Sequence, residues 1–230
     1  MSALVRLAAC LWLLCVPALA SESGFVAAPG FPLAGPAAAR GALVWVHGTY
    51  GRDREGPPDP PDFVGREAAA GLDILCFNRR READPLAGGA ETLARGLRAL
   101  RTEGYRRIVV AGHSRGAWIA LTALAHPGLA DAVVAFSPAA HGTRPERKAQ
   151  ALAEWEGLWA VAAPGTQVVL VQLADDLWDP DPARRLAVAR ARMGDALLSV
   201  FQPDAPRGHG GVYEPAFDER FGAAIAGFLP

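Results

Sequence analysis

A mostly parallel β-sheet with helices on both faces is the fold class this sequence predicts, and three observations predict it. Short apolar, β-branched runs alternate along the chain with stretches of helical periodicity. The runs are continuously apolar, as strands buried on both faces are. One of them, residues 107–111, passes through Gly112-His113-Ser114-Arg115-Gly116 straight into the helix-like stretch 117–124. A strand that turns so abruptly into a helix belongs to an α/β sheet.

The elements follow in order. Residues 1–20 read as an export signal: Arg6 supplies the positive charge, residues 7–16 the apolar run, and Ala18-Leu19-Ala20 the small-x-small cleavage site. Ten or so apolar residues are too few to span a bilayer, which takes about 20. The expectation is an exported protein, periplasmic or secreted, with no stable membrane anchor after cleavage and one domain over 21–230. A Gly/Pro/Ala-rich lead-in, loops or a short edge hairpin, runs to Gly41. Residues 42–46 are the first buried strand, 52–61 a loop, 63–70 a short helix and 72–77 the next strand. Leu93, Leu97 and Leu100 recur at i, i+4, i+7, an amphipathic helix that Gly104 ends. The elbow strand and helix come next, then strand 132–136. Residues 138–165 form a longer excursion with a helix over 149–160. Strand 167–173, helix 182–193 and strand 196–201 lead to a terminal helix over 215–229, with Phe217, Phe221, Ile225 and Phe228 on one face.

Composition bounds the chemistry. The 230 residues are 51% hydrophobic and 20% charged, ordinary for a globular chain, and the net charge of −1 gives no electrostatic case for nucleic acid. Lys148 is the only lysine. Cys10 and Cys15 lie in the signal, so Cys76 alone remains in the mature chain, which excludes an internal disulfide and a zinc cluster. Within an apolar strand, Cys76 reads as a small buried hydrophobe.

The pentapeptide at 112–116 is a G-x-S-x-G nucleophile elbow, in which a tight turn projects the serine oxygen out of the sheet. Its flanking glycines are needed because a Cβ there would collide with the neighbouring strand or helix. A serine hydroxyl needs a base to take its proton. His209 fits that role, since it follows the last strand in the loop Gly208-His209-Gly210-Gly211. His113 is expected to point away from the Ser114 pocket. His126 closes the elbow helix, where a cation is favoured. His141, on the excursion, is left open as a substrate contact. The imidazole needs an acid, and Asp175 and Asp176 both stand beyond the strand ending at Leu173, the sheet edge where catalytic groups gather. Asp179 and Asp181 belong to the turn and helix start at Asp179-Pro180-Asp181-Pro182. After the first strong strand, Val46-His47-Gly48-Thr49-Tyr50-Gly51 allows backbone N–H groups to face a developing negative charge. The N–H groups of Thr49 and Arg115 are the expected oxyanion donors, with His47 structural.

On the H-G loop, the elbow, the Asp turn and the late Gly-His, residues 42–230 resemble the α/β-hydrolase superfamily. The likeness is looser to its small dienelactone-hydrolase-like and carboxylesterase-like branches. Dienelactone hydrolases proper carry a cysteine where this chain has Ser114. Members with large caps insert long helical segments after the strand matching 132–136; here the excursion is about 28 residues, so no large cap domain is expected. Trp155 and Trp159 form its apolar face or line an acyl pocket. The spacing to Pro180 resembles members whose acid lies five positions before that proline, which favours Asp175. Counting three positions on from the strand's end favours Asp176. Asp175 is the preferred reading.

The expectation is therefore a serine hydrolase acting on a small to medium ester or thioester. Ser114 attacks, His209 is base then acid, Asp175 orients His209, and no metal or organic cofactor takes part. A peptidase or amidase on the same residues is the enzymatic rival. A non-catalytic binding protein on a hydrolase scaffold is the other, which a missing member of the constellation would signal.

Overall fold

Successive side chains of the strand β2 (Gly41–Val46) enter two different cores, because a strand's side chains alternate between the faces of its sheet. Ala42, Val44 and Val46 pack on one face, Leu43 and Trp45 on the other, and all five are buried. That two-sided burial is why the run is apolar throughout. The structure, a computed structural model, describes residues 24–49, 59–79 and 86–230. The expected signal at 1–20, Tyr50, Gly51 and most of the loop at 52–61 lie outside the described residues.

β1 (Phe25–Ala27) is an edge strand, antiparallel to β3 (Leu72–Phe77), so the segment before Gly41 holds a single edge strand and loops in place of an edge hairpin. The remaining strands run parallel: β4 (Ile108–His113), β5 (Ala132–Phe136), β6 (Gln167–Val171) and β7 (Leu198–Phe201). Their spatial order is β1-β3-β2-β4-β5-β6-β7. The chain steps outward from β2 to β3 and then returns to add β4 on β2's other side. That reversal opens a crevice between the carboxyl ends of β2 and β4, where ligands of open α/β sheets bind.

Helices cover both faces. On one, α2 (Leu86–Glu103), α3 (Arg115–Leu121), α4 (Lys148–Ala160) and α5 (Pro182–Met193) contribute Leu93, Leu97, Ile119, Trp155, Leu186 and Ala189 to the core. On the other, α1 (Asp62–Ala69) contributes Phe63 and Val64, joined by Phe217 and Ile225 from the C-terminal segment. Among the described residues no helix is long and apolar enough to cross a membrane.

The C-terminal segment is helical without interruption over 215–227, close to the expected helix, but it is not uniformly α-helical. It runs through α6 (Pro215–Phe217), a π-helical turn over Asp218–Gly222, and α7 (Ala223–Gly227). The wider turn lets Asp218 pair with Arg66 of α1 at 2.7 Å, and a Cβ on Gly222 would strike the Asp218 carboxylate and the Arg66 guanidinium. The inserted residue shifts the helical phase. Phe217 and Ile225 stay buried, whereas Phe228 is 47% exposed and rests its ring on Phe201.

Candidate active site

Ser114 sits between β4 and α3 with φ 57° and ψ −124°, a left-handed conformation that costs a non-glycine residue on the order of 1–3 kcal/mol. Backbone hydrogen bonds hold it there: Ser114 N–H donates to Phe136 O, and Ser114 O accepts from Trp118 and Ala139. The elbow glycines are sterically required. A Cβ on Gly112 would meet Gly116 O at 2.6 Å, and one on Gly116 would overlap Val46 O and His47 O. Only a bare backbone lets α3 lie this close to the carboxyl end of β2.

His209 reaches the serine from the loop after β7. Its Nε2 is 2.7 Å from Ser114 Oγ, and its Nδ1 is 2.9 Å from both carboxylate oxygens of Asp176. The two loops are tied together, Gly208 N–H donating to Ala174 O at 2.7 Å. The structure brings Ser114 and His209 together, and of the two candidate aspartates it is Asp176, not the preferred Asp175, that faces the histidine. Asp175 adopts φ 59°, which turns the chain immediately beyond the sheet edge. Its carboxylate swings outward, 67% exposed, to Arg207 at 2.6 Å, while the Asp176 side chain is 3% exposed. The spacing to Pro180, which favours Asp175, carries no information about this turn.

Burial alone would raise the Asp176 pKa. The His209 hydrogen bond and charge, with the Trp178 N–H, outweigh it and hold the carboxyl below its usual range. The Trp178 N–H donates to Asp176 Oδ1 at 2.9 Å. Behind this turn Asp179 forms a buried pair with Arg185 at 2.8 Å. Arg185 also donates to Pro138 O and lies 4.0 Å from the Trp155 ring centroid. Asp181 caps α5 through Arg184 N–H, as expected.

A cavity of about 120 Å³ opens at Ser114, bordered by Thr49, Arg115, Ala139, Ala140, Trp178, His113 and His209. Both expected oxyanion donors, Thr49 and Arg115, border it. His113 borders it too, contrary to the expectation that it points away. Its Nε2 donates to His209 O at 2.6 Å, and its ring packs between His209 and Tyr213. Burial drives the His113 pKa down to about 4, against the raising effect of that hydrogen bond. His47 is structural: its Nδ1 donates to Gly48 O, and its Nε2 accepts from Arg79 N–H. The Arg79 guanidinium donates to His47 O and holds the H-G loop from below. His141 pairs with Glu154 at 2.7 Å and does not border the cavity; nor do His126 or the Trp155–Trp159 pair, whose two rings are core. Cys76 is buried, its thiol pushed up to about 11 by desolvation. No group of His, Cys, Asp or Glu among the described residues is arranged to hold a metal ion.

Arg79 and Trp178 were missed by sequence reasoning. Each follows a strand's carboxyl end, β3 and β6 respectively, and that placement was the available signal.

No protein-family model matches the chain, and no curated protein does. Solved structures do. An esterase from Pyrococcus furiosus superposes with TM-score 0.63 at 16% identity, covering 83% of this chain and 81% of that one. A monoacylglycerol lipase from Paleococcus ferrophilus gives TM-score 0.63 at 15% identity over 89% of this chain and 96% of that one. Est1E from Butyrivibrio proteoclasticus gives 0.58 at 14% over 89% and 90%. The likeness establishes the α/β-hydrolase fold.

Proposed function

We propose that this protein is a serine hydrolase that cleaves a small to medium ester, or thioester, through an acyl-enzyme. The observation that carries the reading is the unbroken hydrogen-bond chain from Ser114 through His209 to Asp176, set at the crevice between β2 and β4. Ser114 Oγ attacks the ester carbonyl carbon as its proton passes to His209 Nε2. The imidazolium forms against the Asp176 carboxylate, which accepts from Nδ1 and fixes the tautomer. The carbonyl oxygen becomes an oxyanion facing the Thr49 and Arg115 N–H groups, the latter in the first turn of α3, where N–H groups point out of the helix. Collapse breaks the bond to the alcohol oxygen, which takes the proton from Nε2. Water then repeats the sequence on the acyl-serine, with His209 as base, and releases the acid.

The similar structures of this fold include several esterases and a lipase but also a prolyl endopeptidase, 34% of whose length this chain covers, so the ester reading follows the larger group and a peptidase or amidase is the rival. Export is part of the proposal and is supported by Arg6, the apolar run at 7–16 and Ala18-Leu19-Ala20. N-terminal sequencing of the protein recovered from the culture supernatant or periplasm checks it, and a chain starting at Met1 refutes it.

Ser114→Ala tests the chemistry. Loss of such a nucleophile costs on the order of 10⁶ in kcat, and fluorophosphonate labelling of the wild type should disappear in the variant. Esterase activity that survives in Ser114→Ala rules the mechanism out.

A further inference from the structure

Trp178 lies two residues beyond Asp176 and borders the same cavity as Ser114. Its ring stacks on the His209 imidazole, with centroids 5.2 Å apart and planes 26° from parallel. The far edge of the indole lies 3.5 Å from where a Gly142 Cβ would stand, so the ring extends from the histidine toward the turn after β5. Its N–H bond to Asp176 fixes the backbone beneath it. Yet the residue is 41% exposed and its neighbour Leu177 78% exposed. A ring anchored so firmly and buried so incompletely adds little to the core, but it presents a flat apolar surface at the cavity mouth.

We propose that Trp178 is the wall of the subsite for the alcohol portion of the ester, and that it selects aromatic alcohols over small aliphatic ones. The inference rests on Ser114 and His209 acting as proposed above. Chemistry assigns the side. When the tetrahedral intermediate collapses, the carbon–oxygen bond to the alcohol breaks, and that oxygen takes the proton His209 Nε2 received from Ser114. It must therefore lie within hydrogen-bond reach of Nε2. The group attached to that oxygen leaves alongside the imidazole, which is flanked by the buried His113 ring and by the indole, and of the two only the indole is exposed. An aromatic alcohol pairs with the exposed part of that ring in an offset or edge-on arrangement. A methyl or ethyl group covers little of it. Of the other residues at the cavity, Ala139 and Ala140 are small, Thr49 and Arg115 are polar, and the His113 ring is buried against His209 and Tyr213, so none presents a comparable exposed apolar face.

Benzyl acetate and ethyl acetate share an acyl group and have alcohols of similar acidity, so their comparison isolates the alcohol subsite. kcat/KM is measured for both in the wild type, Trp178→Ala and Trp178→Phe, with fluorophosphonate labelling of Ser114 reporting an intact nucleophile in each. The benzyl-to-ethyl ratio should fall about tenfold in Trp178→Ala, chiefly through KM for the benzyl ester, and by less than about threefold in Trp178→Phe. A ratio that does not change, whether both rates fall together or neither does, overturns the proposal; equal losses would make Trp178 a support for His209 only. A wild type that labels but fails to cleave benzyl acetate overturns it as well. A wild type that neither labels nor cleaves either ester overturns the hydrolase reading, and the alcohol subsite with it.

Discussion

Asp175 and Asp176 are chemically identical neighbours, and one backbone torsion separates their surroundings. The left-handed φ of Asp175 sends its carboxylate out to Arg207, while Asp176 is buried against His209. Asparagine at each position should therefore have unequal effects. Asp176→Asn removes the charge beside the imidazolium and invites the wrong histidine tautomer, a change that lowers kcat about 10⁴-fold in a serine protease. Asp175→Asn should stay within about twofold of the wild type, because an exposed ion pair contributes little. Steady-state kinetics on one short ester separates the two, and a crippled Asp175→Asn with a healthy Asp176→Asn would reverse the assignment.

His113 makes a second prediction at this level. Its folded-state pKa of about 4 lies below the 6.5 of a free histidine, because burial disfavours the imidazolium. Between those values the unfolded chain binds a proton that the folded chain excludes. The stability from neutral His113 is thus complete above about pH 6.5 and is lost as pH falls toward about 4, a contribution on the order of 3 kcal/mol. Urea unfolding of the wild type and His113→Asn at about pH 7.5 and about pH 4.5 tests it. The wild type should lose more stability on acidification than the variant, and equal losses would exclude the residue as the cause.

The turn between β6 and α5 is the element on which the proposed mechanism depends most, because it carries Asp176 and Trp178 together. Its closure rests on the Asp179–Arg185 pair, with Gln172 donating to the other Asp179 oxygen and Trp155 lying under the guanidinium. Burial pulls the Arg185 pKa down, and Asp179 opposes that shift. Arg185→Met leaves Asp179 buried without its cation, which should cost about 3–5 kcal/mol. Adding Asp179→Asn to that variant should restore part of the loss, since the stranded charge is then gone. Thermal or urea unfolding of both single variants and the double reads the coupling, and purely additive losses would show that the pair does not act as a unit.

Across the whole molecule the sheet order sets where chemistry can occur, and the connections set what can enter. The reversal between β2 and β4 brings the H-G loop and the elbow to one crevice, while the later strands deliver Asp176 and His209 from the same edge. The connection between β5 and β6 is spent on α4. That helix packs Trp155 and Trp159 into the core and does not enclose the cavity. About 120 Å³ at Ser114 is room for an ester group and a short acyl chain under the proposed reaction, given that a liquid water occupies about 30 Å³. Among ethyl esters, kcat/KM should therefore peak at acyl chains of about two to four carbons and decline beyond. A panel from acetate to decanoate measures it, and a preference for decanoate would contradict the cavity.

Much of this was legible in residue order alone. The apolar runs located the parallel strands because two-sided burial leaves no polar alternation to confuse the period. The elbow announced Ser114 because glycines at 112 and 116 are a steric necessity of the turn itself, and His209 followed from its place after the last strand. Local chemistry could not choose between Asp175 and Asp176. The choice depends on a left-handed residue whose outward carboxylate is met by Arg207, from a loop 32 positions away. Nor could it show the π-helical turn at Asp218–Gly222, which exists so that Asp218 can meet Arg66 across 152 positions. The stacking of Trp178 on His209 likewise joins two loops that only the sheet brings together. Constraints acting within one turn or one strand are written in adjacent residues; partners brought together by the sheet are determined only when the chain folds.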